Sequence, residues 1–138
     1  MTPPHTVLGV ELMDEDHARL EALLEHAAQA ADADLPGLFA QAEAETRAHF
    51  EREEKLMQSA GLPVFHCHAA QHRLLLAEFD RARISAISGD TASLRHFLIY
   101  ALPEMLTAHI DSVDRVTASF LRNEIKEEEL RPLRLPFE

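Results

Sequence analysis

Apolar residues recur along this chain at intervals of three and four, in four stretches separated by residues that stop helices. The first stretch carries Leu20, Leu23, Leu24 and Ala27 and fades at Asp32 to Asp34, and Asp14 is its expected N-cap with Glu15 and Asp16 in the first turn. The second opens at Asp34 with Pro36 in its first turn, runs through Phe39, Ala42, Thr46, His49, Glu53 and Met57, and stops at Gly61 and Pro63. The third covers about Phe65 to Ile87, with Leu75, Leu76 and Phe79 inward, and ends at Ser88-Gly89. The fourth takes Asp90 as N-cap and extends to about Asn123. Helices of this length joined by short loops predict an all-α fold, an antiparallel up-down four-helix bundle. Residues 1–123 form the expected bundle, and 124–138, with three consecutive glutamates and two prolines, form a short C-terminal tail.

Pro103 interrupts the fourth stretch. A proline inside a helix lacks the N–H that would bond the carbonyl four residues earlier, here Ile99, so a kink or a break into two helices is expected.

Composition narrows the function. A chain of 138 residues suits one domain, and with 4 glycines and 46% apolar residues it favours helix and a sizeable core. A net charge of −11 argues against a nucleic-acid backbone or an anionic membrane surface as partner. A single cysteine, Cys67, excludes an internal disulfide and fits a reducing compartment. Neither a signal peptide nor an apolar run approaching the roughly 18 to 20 residues of a membrane span is evident, so a soluble, cytoplasmic protein is expected. No protein partner can be named from the sequence.

Nine histidines stand against one tyrosine and no tryptophan. Histidine is the commonest metal ligand, so their spacing matters. His49 and Glu53 are one helical turn apart, about 40° around the axis and roughly 6 Å along it, on the stripe that holds Thr46, Leu56 and Met57. A carboxylate on that stripe is costly to bury unless it is paired or metal-bound. His68 and His72 repeat the device on the third helix. His109 and Asp114 lie on the fourth, and His17 precedes Leu20 on the first. One such pair is a weak signal, but donors on the apolar stripe of every helix form a constellation, and bundle cores are where such sites are built. Cys67 is expected to be a small packing residue, and His5, His26, His66 and His96 to be surface or satisfied histidines.

These segments resemble the hemerythrin family: Gly9-Val10-Glu11-Leu12-Met13-Asp14-Glu15-Asp16-His17, then His49-Phe50 with Glu53-Glu54 and Met57, then Pro63 ahead of His68 and His72, and finally His109-Ile110 with Asp114. The resemblance runs to about Leu121. It implies two iron ions joined by an oxo or hydroxo bridge, one held by His68, His72 and His109, the other by His17 and His49, with Glu53 and Asp114 shared. Two carboxylates and the bridge give each ion three oxygens. Three histidines then complete six-coordination at one ion, while two leave the other with an open position. An imidazole and carboxylate set without thiolate suits iron better than zinc. His109 and Asp114 are five apart, about 140° on an ideal helix, so both point inward only if the helix carries a π-bulge.

The implied function is reversible binding of dioxygen, for storage, delivery or sensing, without catalysis. Leu20, Phe50, Leu106 and Ile110 are the expected lining of a dry oxygen pocket. A di-iron enzyme that reduces peroxide or nitric oxide, and a metal-stabilised interaction module, are the alternatives. Met105 and Gln71 depart from the family's usual residues, a change expected to loosen the outer pocket at the first and to remove an outer contact to His72 at the second.

Overall fold

The structure, a computed structural model, describes residues 7–123. His5 and the expected tail at 124–138 lie outside the described residues. Four rods make up the rest. α1 spans Glu11–Gln29. A 3₁₀ turn at Asp32–Asp34 leads into α2, Leu35–Ala60, and α3 spans Phe65–Ser88. The fourth rod, α4, covers 91–121: α-helical stretches Thr91–His96, Leu102–His109 and Arg115–Leu121 alternate with π turns at Phe97–Ala101 and Ile110–Asp114. Among the described residues there is no strand, and no helix is long and apolar enough to cross a membrane.

The stop signals act where their chemistry requires. Gly61 and Gly89 end α2 and α3 in the left-handed region, φ 63° and 78°, which costs glycine little and other residues more. The Asp90 side chain accepts a hydrogen bond from the Ser93 N–H at 3.1 Å and caps α4. The start of α1 differs from the expectation. The helix begins at Glu11, and Asp14 caps nothing of its own. Its carboxylate reaches back to accept the N–H groups of Leu8 (2.8 Å) and Gly9 (3.0 Å), so it fastens the incoming segment to the helix instead.

Direction follows from which ends meet. Leu24 and Ala27 near the end of α1 pack with Leu35, Leu38 and Phe39 at the start of α2, Phe79 in the second half of α3, and Leu94, Phe97 and Leu98 at the start of α4. Neighbouring rods therefore run antiparallel, as the short loops require. This apolar cluster fills one half of the bundle, with Phe79 edge-on to Phe97 and tilted against Phe39, ring centroids 5.3 and 5.8 Å apart. A smaller cluster, Leu8, Met13, Ile110 and Ala118, closes the far end. Polar side chains occupy the space between.

Pro103 does not split the rod. Backbone angles stay right-handed helical through Ala101 and Leu102. The Leu102 N–H bonds the carbonyl of Phe97, five residues back. This π turn resets the hydrogen-bond register, so Pro103 falls in the first turn of the next α-helical stretch, where its missing N–H leaves no gap. Leu56 and Leu76, expected on inward stripes, are half-buried at the margins.

Phe79 is fully buried at the centre of the apolar half. Truncation Phe79→Ala should lower unfolding free energy by about 3 to 5 kcal/mol, read from urea denaturation of the metal-free protein. A loss below about 1 kcal/mol would mean that the cluster does not carry the fold.

Candidate metal centre

Each rod delivers its donors from the half of the bundle that the apolar cluster leaves. α1 brings His17 from its second turn, α2 brings His49 and Glu53 from its second half, α3 brings His68 and His72 from its first two turns, and α4 brings His109 and Asp114. All seven side chains are buried, Glu53 and Asp114 completely. The π turn at Ile110–Asp114 accounts for the last pair. Its i→i+5 bonding, completed by the Arg115 N–H to the Ile110 carbonyl, carries residues five apart through about one turn, so His109 and Asp114 share a face.

Candidate ligand atoms fall into two groups, each within 4.8 Å: Glu53, His68, His72, His109 and Asp114 in one, His17, His49, Glu53 and Asp114 in the other. The carboxylates divide their oxygens between the groups. Glu53 Oε1 faces His68 Nε2 and His72 Nε2 at 2.9 and 3.0 Å, while Oε2 faces His49 Nε2 at 3.0 Å. Asp114 Oδ1 faces His68 Nε2 and His109 Nε2 at 2.9 and 3.0 Å, while Oδ2 faces His17 Nε2 at 3.1 Å. Despite these short approaches, His49 Nε2, His68 Nε2, His109 Nε2, Glu53 Oε2 and both Asp114 oxygens lack an aligned hydrogen bond. Buried polar atoms are rarely left so. Lone pairs that converge without hydrogen bonds fit a cation between them, and the donors, imidazole and carboxylate, suit a divalent transition metal.

Partners outside the constellation hold the rings. His49 Nδ1 donates to Asp16 at 2.8 Å, and Arg52 grips the same carboxylate at 2.9 and 3.0 Å. His72 Nδ1 donates to Glu54 at 2.8 Å, and the ring stacks on Phe50 with centroids 3.8 Å apart. His68 Nδ1 donates to the Thr117 hydroxyl at 2.6 Å, while that hydroxyl points its own hydrogen at Met57 Sδ, 3.9 Å away. With Nδ1 protonated, each ring turns its Nε2 lone pair inward, the tautomer a ligand needs. Nothing local in the sequence marked Thr117, although it stands three residues after Asp114 on the same face. Asp16 and Glu54 read as a first-turn acid and a motif residue. Gln71 is exposed and Glu54 serves His72, so the departure at 71 removes no contact to that ring.

A cavity of about 40 Å³ lies against this centre, room for one or two water-sized molecules. Its walls are Leu20, Leu24, Phe50, Pro103, Leu106 and Ile110. His17, His49, His109 and Asp114 form its inner end, and Glu21 and Thr107 are its more exposed lining. The four expected pocket residues all line it. Met105 does not, and packs against the apolar cluster instead. Cys67, expected to pack, is exposed, as are His26, His66 and His96, because their positions fall on the outer faces of the helices.

Burial pushes the Glu53 and Asp114 carboxyls up, and the Asp114 charge also repels Glu53, but the surrounding imidazoles outweigh this and hold both below the usual range. Burial likewise opposes charge on His49 and His68. The facing carboxylates, with Asp16 for His49, prevail and raise both to about 9. For Asp16, burial is outweighed by His49 and Arg52, which hold it at about 2.

Such a fold and donor set define a helical bundle built around a metal-binding core. Residues 8–129 match the model of the hemerythrin HHE cation binding domain, and the chain belongs to that family. It is 35% identical over 114 residues to a protein of Ralstonia nicotianae named bacteriohemerythrin, a match that covers 83% of this chain and 82% of that relative. No solved structure matches.

The raised imidazoles set a pH dependence. A ligand histidine must be neutral, and without metal His49 and His68 keep their protons until pH passes about 9. Metal uptake at neutral pH should therefore release protons from both, and apparent affinity should climb with pH until it levels near 9. Calorimetric titration of the metal-free protein with ferrous ion, anaerobically and in buffers of different ionisation heat, measures this. Affinity that is flat from neutral pH to 9 would contradict it.

Proposed function

We propose that this chain reversibly binds dioxygen at a pair of iron ions joined by an oxo or hydroxo bridge, as a carrier, store or sensor without catalytic turnover. In this reading His68, His72 and His109 hold one ion, His17 and His49 hold the other, and Glu53 and Asp114 span both through their divided oxygens. Bound there, ferrous ions would supply the electrons and the coordination position with which dioxygen combines.

The observation that carries the proposal is where the cavity lies. Among its lining residues are both histidines of the two-histidine group, whereas the three-histidine group contributes only His109, and Glu53, His68 and His72 do not line it. Space for a small molecule thus adjoins the group with fewer protein ligands, the one with room for an incoming ligand. Leu20, Phe50, Leu106 and Ile110, all buried, give that space an apolar wall that disfavours water. Dryness favours reversibility, because water and protons promote loss of oxygen in reduced form. The exposed free thiol of Cys67 supports the cytoplasm as the place of action.

Iron-loaded protein, reduced anaerobically and exposed to air, should develop a visible ligand-to-metal charge-transfer band that bleaches under vacuum and returns with oxygen. Rapid multiple turnover with peroxide or nitric oxide, without a stable oxygenated form, would overturn the proposal in favour of an enzyme. Leu106→Ala opens the pocket wall and should speed autoxidation several-fold at unchanged iron content. An unchanged rate would remove Leu106 from this role.

A further inference from the structure

Three histidines of the centre carry described partners on Nδ1, and the three partners differ in charge. His68 meets the neutral Thr117 hydroxyl. His72 meets Glu54, a half-buried carboxylate that no arginine or lysine pairs with among the described residues. His49 alone meets a carboxylate that is both buried and clamped by cations. The Asp16 side chain is 2% exposed. One of its oxygens accepts from His49 Nδ1 (2.8 Å) and from Arg52 Nε (3.0 Å), and the other from Arg52 Nη2 (2.9 Å) and from Arg19. His49 stands on the cavity side of the centre.

This placement has an electronic consequence. A full negative charge on Nδ1–H makes an imidazole a stronger donor and favours the more positive, ferric state of an ion on Nε2. Arginines that share that charge weaken the effect. Asp16 is buried, so its charge is little screened, whereas Arg52, its side chain 39% exposed, acts through its two hydrogen bonds to Asp16.

We propose that Asp16 and Arg52 are positioning residues that act through His49 to set the ferrous–ferric balance of the iron beside the pocket. The inference rests on the di-iron reading above. Asp16 would bias an ion on His49 toward ferric, and Arg52, by sharing the Asp16 charge, would moderate that bias in favour of the ferrous form. A bare carboxylate would lower the potential and bias the site toward ferric, while a neutral partner would leave it reluctant to give up electron density. The competing account makes the Arg52–Asp16 pair only a tie between α1 and α2.

The test uses iron-loaded full-length protein. Iron per chain is measured first, and the midpoint potential is then titrated with dithionite as electron donor through a mediator, each ferric ion gaining one electron. Asp16→Asn, which keeps an acceptor for Nδ1–H but removes the charge, should raise the potential. About tenfold more ferrous iron at a fixed potential is expected, equivalent to about 59 mV for one electron. Arg52→Gln should shift it the opposite way. In the double variant the Arg52→Gln shift should largely vanish, because its route runs through Asp16. Arg83→Gln, which removes one of the two arginines on Glu43 away from the centre, should change nothing. Unshifted potentials at full iron content would overturn the proposal, and so would an Arg52→Gln shift of equal size with and without Asp16, which marks charge acting through space. If Asp16→Asn loses its iron, Arg52→Gln decides, since it keeps the Asp16–His49 bond. Absence of iron from the unaltered protein would instead sink the di-iron reading itself.

Discussion

Two carboxylates, Glu53 and Asp114, sit completely buried side by side in the core of a small bundle. An isolated buried carboxylate loses several kcal/mol of hydration, and two together repel each other as well. They persist only where positive charge lies between or around them. His49 and His68, which hold their protons to about pH 9, supply part of that charge when no metal is present, and a pair of cations would supply it otherwise.

The constraint divides the molecule. Phe39, Phe79, Phe97 and the leucines around them fill the half that gives the fold its stability. The other half also buries Phe50, Met57 and the small cluster at Met13 and Ile110, but apolar packing alone does not orient its polar side chains. Its geometry is fixed by hydrogen bonds instead, with Asp16, Glu54 and Thr117 each holding one ring nitrogen. Of the four rods, α4 departs from α geometry twice. One π turn lets a proline into the rod and into the pocket wall, and the other turns His109 and Asp114 to the same side.

How much of this was legible in the sequence depended on range. Helix stops at Gly61 and Gly89, the cap at Asp90, and the apolar stripes are local signals, and the folded chain uses them as the pattern implies. The seven donors stood out because histidines and acids one turn apart on an apolar stripe conflict with simple burial. The five-residue step from His109 to Asp114 implied a π turn in advance, since an ideal helix would aim them apart. The start of α1 was misjudged because Asp14 bonds backward to Leu8 and Gly9, and a cap in sequence looks the same in either direction. Outer partners were hidden for another reason. Asp16 and His49 are 33 residues apart, and His68 and Thr117 are 49 apart, distances at which periodicity carries no information.

The most direct examination of the central claim is anomalous diffraction at the iron edge from crystals of the iron-loaded protein. Two peaks per chain are predicted, one among His68, His72 and His109 and one beside His17 and His49, with Glu53 and Asp114 contributing an oxygen to each. A single peak, or iron bound only at surface acids while those two carboxylates contact none, would contradict the account.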